Sequence, residues 1–306
     1  MNLMYLQNTI NHFWKRLWET PLLLGWLVLG PFIALWLNGW TGLLTGVLNL
    51  FLLGVFALLI RRFTPDPAAP HKIRRPRLEL TVGLILFALF FMTQLLDFDV
   101  WTIEPLHLWV RTFFVHIYRF IEGIRIVPGW MKLDLYLAAS STVKMLIPTL
   151  LAFWILGCSR TKMGLSHPDW KLSAVLVSIT AAAGLVTGFL FHVPLFQIPA
   201  FYIIGIFINA LPEELFFRGF LLPRLEKFFS NPLNALVVSA LFFNAIHIPI
   251  EVNNGASILE AASGIFSIGY PTGLIWGYLY LRTRSIIPGT LWHAANGVLG
   301  FVMMNL

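Results

Sequence analysis

FYIIGIFINALPEELFFRGFLL, residues 201–222, decides the fold of this chain. The stretch is long enough for a membrane helix, which needs about 20 mostly apolar residues. It nevertheless contains two adjacent glutamates and an arginine. Ionisable side chains at the centre of a membrane helix cost roughly 2.5 to 3.5 kcal/mol each on insertion scales, so they are rare and usually functional. The stretch therefore predicts a membrane helix that carries part of a functional site.

The composition of the whole chain agrees with a membrane protein. Of its 306 residues, 58% are hydrophobic and 11% are charged, against about 25% charged in an ordinary soluble domain. This excludes a water-soluble fold, a disordered chain and a disulfide scaffold, and the single cysteine, Cys158, is interpreted as a small apolar residue. The net charge of +7 comes from short basic runs between apolar stretches, so the partner that it indicates is the lipid bilayer and not a nucleic acid.

Apolar stretches of membrane-spanning length recur along the chain, which predicts an all-α, polytopic membrane bundle. About nine are long enough, with eight as the alternative, and they lie at 21–38, 41–60, 80–96, 135–157, 172–193, 199–222, 233–250, 258–281 and 286–305. The first is interpreted as an uncleaved span, because no small-residue cleavage site follows it. In the eighth, Gly269, Gly273 and Gly277 recur every four residues and permit close helix packing.

The basic residues of the short loops predict the orientation of the bundle. Lys15 and Arg16 precede the first span, and six more basic residues lie between positions 61 and 77. Basic loops remain on the cytoplasmic side, so the amino terminus is predicted to be cytoplasmic. The short loops favour a bacterial inner membrane over the endoplasmic reticulum.

Residues 98–132 break the pattern of short loops. Arg111, Arg119, Glu122 and Arg125 recur there at roughly helical spacing opposite an apolar face. Such a segment is predicted to be a helix that lies in the membrane interface. A tenth span is the alternative, although it would put arginines in lipid.

The two halves of the chain differ in character. Residues 1–170 are predicted to form an amino-terminal membrane region that includes the interfacial helix, whose function the sequence leaves open. Residues 171–306 hold most of the polar groups of catalytic type and are predicted to form a catalytic membrane core.

Within the quoted stretch, the two glutamates are predicted to have different roles. Glu214 and Arg218 are four residues apart and share a helix face, so they can form an ion pair. Glu213 lies about 100° around the helix without a local cation, which suits a general base or acid. Pro212 is expected to kink the helix beside them. An alternative is that Glu214 and Arg218 only hold the bundle together.

Two later spans add further polar side chains. His247 lies in one of them, while His293 and Asn296 are three residues apart in another. A carboxylate, two imidazoles and an amide together suit hydrolysis, in which the carboxylate activates a water and the amide stabilises an oxyanion. Each histidine alone is also compatible with simple packing. Glu213, His247 and His293 are in addition a candidate zinc site, although no HExxH motif is present.

These residues resemble the CAAX-protease and bacteriocin-processing family of intramembrane proteases, whose pattern is EExxxR, then FxxxH, then HxxxN. Glu213 to Arg218 match the first motif and Phe243 to His247 match the second. The third departs from the pattern, because Asn296 follows His293 at three residues and Gly297 occupies the fourth position. The resemblance covers residues 199–300.

The resemblance implies an all-helical membrane fold with a conical cavity that opens toward the cytoplasm. It implies cleavage of a membrane-associated peptide or protein, lipidated or a secreted precursor, by a glutamate-activated water without a required cofactor. Glu213 would be the base, His247 and His293 would position the water, and Glu214 with Arg218 would support Glu213. Asn296 would donate to the oxyanion.

Two other function classes stay open from the sequence. One is a proton-coupled carrier in which Glu213, His247 and Lys144 form a relay. The other is a catalytically silent binding or immunity protein that keeps the fold, which the three-residue spacing of Asn296 would suit. The substrate and the oligomeric state are not specified by any motif.

Overall fold

The fold is seen in a computed structural model. It describes residues 19–304 apart from 65, 101, 167, 168, 191, 193, 195 and 268–271, with side chains up to residue 298. Within this part, the chain forms helices and no strand, so the predicted all-α fold is confirmed. Lys15 and Arg16, on which the predicted orientation partly rests, lie outside the described residues.

Ten helices of seven or more residues make up the described bundle. They are α1 (Pro21–Phe63), α2 (Pro76–Asp97), α3 (Leu106–Glu122), α4 (Gly129–Ile155), α5 (Trp170–Leu190), α6 (Gln197–Leu225), α7 (Pro232–Asn253), α8 (Ile258–Gly264), α9 (Thr272–Thr283) and α10 (Ile287–Met304). Six of them, α1, α2, α4, α5, α6 and α7, are long and apolar enough to cross a membrane. The chain is an integral membrane helical bundle.

The first two predicted spans form the two arms of α1. The helix breaks at Asn38 and Gly39, where Gly39 has φ +59° and ψ −153°, a conformation that favours glycine. A Cβ at Gly42 would lie 2.4 Å from the carbonyl oxygen of Ala34, so the turn also needs glycine there. This tight turn explains how two spans are joined without a loop.

The predicted eighth span is represented by two short helices. In the described residues, α8 ends at Gly264 and α9 begins at Thr272. The predicted close packing is confirmed at α9, since a Cβ at Gly277 would lie 2.2 Å from Cδ1 of Leu236 on α7, and Gly273 meets Phe243 of the same helix. Gly269 lies outside the described residues.

The amphipathic segment forms α3. Its buried residues are His107, Phe114 and Ile121, spaced seven apart on one narrow stripe, while most of its other side chains are exposed. With 17 residues, the helix is shorter than the about 20 residues that a span needs. Its location at the membrane interface stays a prediction.

Four connections, α1–α2, α4–α5, α6–α7 and α9–α10, contact one another at one end of the bundle. Arg282, at the end of α9, donates to Thr64 at the end of α1. Arg284 forms an ion pair with Glu226, with Nη1 and Oε2 2.6 Å apart, and the amide of Ile286 donates to the carbonyl of Gly164. We call this end of the molecule the basic end, and the opposite end, which contains the α1 turn at Gly39, the turn end.

Helix α6 lies at the centre of the hydrophobic core. Phe216 contacts Phe90 of α2, and Phe220 contacts Phe153 of α4, with ring centroids 4.8 and 5.0 Å apart. Near the basic end, the buried Arg224 of α6 pairs with Glu79 of α2, with Nη2 and Oε2 2.9 Å apart. These contacts hold α6 from several sides and so fix the direction of the side chains that it presents.

Candidate active site

The site begins with the irregular winding of α6. Pro212 lies in a short α-helical turn between two π-helical segments, Ile206–Ala210 and Glu214–Leu221. Proline has no backbone N–H to donate, and π-helical turns occur frequently at functional sites. The expected disturbance by Pro212 is therefore seen as a change in winding beside the two glutamates.

Glu214 and Arg218 form a buried ion pair. Arg218 Nη1 lies 3.2 Å from Glu214 Oε1, and both side chains are 1% exposed. The guanidinium also donates from Nη2 to the carbonyl of Gly273, 3.1 Å away, and stacks over the ring of Phe243. The charge of Glu214 is thus balanced within the bundle, as its spacing from Arg218 predicts.

His293 lies between the two glutamates. Its Nδ1 is 3.3 Å from Oε1 of Glu214, and its Nε2 is 3.8 Å from Oε2 of Glu213. The imidazole stacks on the indole of Trp276, with ring centroids 3.7 Å apart. Its orientation is therefore fixed by a carboxylate on one edge and an aromatic face.

Glu213 has a different environment from Glu214. Its side chain is 11% exposed, and its buried Oε2 makes no hydrogen bond within the described residues. A buried carboxylate oxygen with no donor is costly to maintain for structure alone. Oε2 of Glu214 also makes no hydrogen bond within the described residues, but the Glu214 side chain is 1% exposed. Of the two glutamates, Glu213 is therefore the more accessible.

His247 lies where α7 bends near its end. The regular helix stops at Ala245 and resumes at Ile248. Nδ1 of His247 is 3.1 Å from the carbonyl oxygen of Phe243, to which it donates. With the proton on Nδ1, the other ring nitrogen, Nε2, carries the lone pair.

A cavity of about 500 Å³ connects the two histidines. His247, His293, Trp276 and Asn296 line it, together with Phe243, whose ring centroid lies 5.3 Å from that of His247 and 6.2 Å from that of His293. The structure thus brings both histidines and Asn296 to one cavity. Glu213 is not among the described residues that line the cavity, but it contacts His293, which does.

The outer part of the cavity is formed by residues of the turn end. They are Leu37 and Asn38 beside the α1 break, Glu251 and Ala256 after the α7 bend, and Glu260, Ala261 and Gly264 of α8. The cavity therefore has a polar deep wall and an outer rim that the amino-terminal half of the chain helps to form.

Asn209 is a polar residue near the site to which the sequence assigns no role. Its Oδ1 lies 4.0 Å from the position that a Cβ at Gly297 would occupy. Gly297 is the residue found where the HxxxN pattern has asparagine, so an amide from α6 approaches that position from across the site. Asn296 instead lines the cavity.

The candidate zinc ligands are only partly brought together. Glu213 and His293 are neighbours, with Oε2 and Nε2 3.8 Å apart, whereas His247 directs its Nδ1 to the carbonyl of Phe243. No three His, Cys, Asp or Glu side chains form a metal-binding group within the described residues. As arranged, these residues do not fit a zinc ion, and no step below is assigned to a metal.

Lys144 is paired with Asp97 and not with the residues of the predicted relay. It forms an ion pair with Asp97 at the end of α2 and stands over the ring of Phe114, 4.4 Å from its centroid. The predicted relay of Lys144 with Glu213 and His247 has no such contact to support it.

Gly289 permits the close approach of Glu214, and its substitution tests the packing of the ion pair. A Cβ at this position would lie 2.9 Å from Oε2 of Glu214, whose other oxygen is held by Arg218 and His293. We expect Gly289→Ala to lower the free energy of unfolding by about 1–3 kcal/mol, measured by thermal unfolding of the purified protein.

The matched control for this substitution is Gly54→Ala. Gly54 also lies in a helix, and a Cβ there would meet nothing within 4 Å. Alanine is favoured over glycine in a helix by up to about 1 kcal/mol, so the control is expected to keep or raise the unfolding temperature. Equal unfolding temperatures for the two variants would contradict the tight packing against Glu214.

Comparisons with known proteins bear on the family resemblance. The family model for type II CAAX prenyl endopeptidases, Rce1-like, matches residues 195–299. The uncharacterized protein YyaK of Bacillus subtilis is 36% identical over 92 residues, which are 30% of this chain and 29% of YyaK, so the match spans less than a third of that relative. No solved structure matches the chain. The resemblance drawn from the three motifs is therefore confirmed, and the chain carries, at residues 195–299, an Rce1-like domain of the CAAX-protease and bacteriocin-processing family of membrane-embedded proteases.

Proposed function

We propose that this protein is an intramembrane glutamate-type endopeptidase, which hydrolyses a peptide bond of a membrane-associated peptide or protein. The observation that carries the proposal is the position of His293, which contacts both glutamates from the wall of a cavity shared with His247. The ion pair of Glu214 with Arg218 would hold the helices together without Glu213, so a purely structural role does not explain why Glu213 is also a glutamate.

In this proposal, Glu213 is the general base. It accepts a proton from a water whose oxygen attacks the carbonyl carbon of the scissile peptide bond. The resulting tetrahedral intermediate collapses when the C–N bond breaks, and the proton held by Glu213 passes to the leaving amine. Asn296 donates to the oxyanion of the intermediate.

The remaining residues orient this chemistry. Glu214, held by Arg218, accepts a hydrogen bond from Nδ1 of His293 and leaves Nε2 directed toward Glu213. The Phe243 carbonyl sets the tautomer of His247 in the same way. Both imidazoles then present a lone pair that can position the water.

The proposal is tested by cleavage of a lipid-linked peptide library by purified protein in lipid nanodiscs. His247→Ala is expected to lower kcat by about 10²-fold, because the water loses one of its positioning groups. His116→Ala is the matched control, since His116 bonds the carbonyl of Thr112 four residues earlier, as His247 bonds that of Phe243, but lies on exposed α3.

A chelator decides whether a metal takes part in the reaction. Wild-type cleavage that survives chelation agrees with a glutamate mechanism without zinc. Loss of cleavage on chelation, with recovery on added zinc, would assign Glu213, His247 and His293 to a metal shell.

The two asparagines near the site separate two possible sources of the oxyanion donor. We expect Asn296→Ala to lower kcat by about 10²-fold or more, the typical effect of removing one oxyanion donor, with a small change in KM. Asn209→Ala is the paired variant, and kinetics on one peptide substrate compare the two. A larger loss in Asn209→Ala would assign the donor to α6.

A catalytically silent binding or immunity protein is the second candidate, and Gly297 at the position of the pattern's asparagine is the observation that favours it. A phenotype that survives Glu213→Ala, together with no cleavage of any library member by the wild type, would support this candidate over the peptidase.

A further inference from the structure

The cavity opens at the turn end of the bundle. Its outer residues belong to the α1 break, to the end of α7 and to α8. The α7 helix runs from the basic end to the turn end. Near its start, Asn234 forms hydrogen bonds with the backbone of Glu19 and Leu22, where α1 begins. Near its other end, His247 lines the cavity together with Asn38 of the α1 break. The rim therefore lies opposite the basic end.

The lysines and arginines of the described chain are distributed unequally between the two ends. Four lie at the turn end, between the end of α2 and the first turn of α4. They are Arg111, Arg119, Arg125 and Lys132. Thirteen lie in or beside the connections of the basic end, which are Arg61, Arg62, Lys72, Arg74, Arg75, Arg77, Arg160, Lys162, Lys171, Arg224, Lys227, Arg282 and Arg284. An excess of basic residues marks the cytoplasmic side of a membrane protein.

The rim itself carries negative charge. Glu251 and Glu260 line the outer part of the cavity, and the connections at 39–40 and 251–264 contain no lysine or arginine. Glu260 is exposed, and Ser257 at the start of α8 donates its backbone N–H to the carboxylate. The walls of the cavity also include the apolar side chains of Ile248 and Ile265.

We propose that the cavity takes a basic peptide segment that enters from the non-cytoplasmic side of the membrane, with its lysine or arginine side chains at Glu251 and Glu260. Cleavage of the segment after it enters rests on the proposed peptidase function. The proposed side of entry differs from the cytoplasmic opening that the family resemblance implies, because the cavity and the basic connections of this chain lie at opposite ends.

The side on which the cavity opens is tested by labelling single cysteines in intact bacterial cells that express the full chain. In a Cys158→Ser background, Asn254→Cys reports the exposed rim and Lys72→Cys reports the exposed basic end. A membrane-impermeant maleimide is expected to label the Asn254→Cys protein in intact cells, and the Lys72→Cys protein only after permeabilisation. The reverse pattern would overturn the proposal, and neither result depends on catalytic activity.

The charge preference is tested with peptides that differ only in flanking residues. Glu251→Gln/Glu260→Gln is expected to raise KM about tenfold for a peptide with flanking lysines, with kcat unchanged, because two attractive charges are removed. The same peptide with flanking glutamates should bind the variant more tightly than it binds the wild type. Glu122→Gln on α3, a loss of one carboxylate away from the cavity, is expected to change neither value.

The two experiments separate the proposal from the peptidase function. An unchanged ratio of the KM values for the two peptides in the double variant would overturn the charge preference. If the wild type cleaves no member of the peptide library, the peptidase function fails. The affinity of the fluorescently labelled lysine peptide for the wild type and for Glu251→Gln/Glu260→Gln then decides the charge preference.

Discussion

Glu213→Gln is expected to lower kcat for peptide cleavage by about a thousandfold, within the range attributed to a general base. Glutamine has nearly the same shape as glutamate, but its amide does not accept a proton from water at neutral pH. Glu213 is held at the site by its neighbours on α6 and lies 3.8 Å from His293, so the substitution changes the chemistry more than the packing. Single-turnover cleavage of a fluorogenic peptide measures the loss.

The stability of the same variant is the control for this result. Because Oε2 of Glu213 makes no hydrogen bond within the described residues, its neutralisation should leave the unfolding temperature unchanged or slightly higher. Loss of cleavage with an unchanged unfolding temperature therefore identifies a catalytic effect. A Glu213→Gln protein that folds and still cleaves at the wild-type rate would remove Glu213 as the base.

Arg218→Met is expected to destabilise the bundle by about 3–5 kcal/mol, the cost typical of breaking a buried pair by removing one partner. The substitution leaves the carboxylate of Glu214 buried with no guanidinium 3.2 Å away. It also removes the bond to the carbonyl of Gly273, which joins α6 to α9. Denaturation of the purified variant in detergent, compared with the wild type, measures the difference.

A double variant separates the charge from the packing in this prediction. Arg218→Met/Glu214→Gln removes both charges, so it should recover more than half of the stability lost in Arg218→Met alone. Cleavage should remain low, because His293 loses the carboxylate that orients it. A single variant as stable as the wild type would show that the ion pair adds nothing to the fold.

The part of the site that the sequence predicts is the part encoded at helical spacing. Glu214 and Arg218 are four residues apart, and the ion pair between them follows from local geometry. The two arms of α1 are likewise predicted from apolar length, and Gly39 lies at the break between them. In each case the interacting residues are close in the chain, so no knowledge of the packing is needed.

The contacts that the sequence does not predict join residues far apart in the chain. Arg224, at the end of α6, is fully buried against Glu79, 145 residues away. Lys144 similarly pairs with Asp97. Composition and periodicity say which residues are polar within a span, but the partner depends on how the helices are arranged around one another.

The approach of Asn209 to Gly297 has the same origin. The sequence places Asn296 at the third position after His293, which makes it the candidate for the oxyanion donor. The amide near the fourth position comes from α6 instead. Only the tertiary packing of α6 against α10 brings these two residues together.

The break in α1 has a consequence for how this protein can diverge from its relatives. Leu37 and Asn38, beside the break, form part of the cavity wall, yet they lie outside residues 195–299, which carry the family match. In evolutionary terms, the wall formed by Leu37 and Asn38 can change independently of the segment that contains the catalytic motifs. Substitutions in this turn can therefore change which segments enter the cavity while the EExxxR and FxxxH residues stay the same.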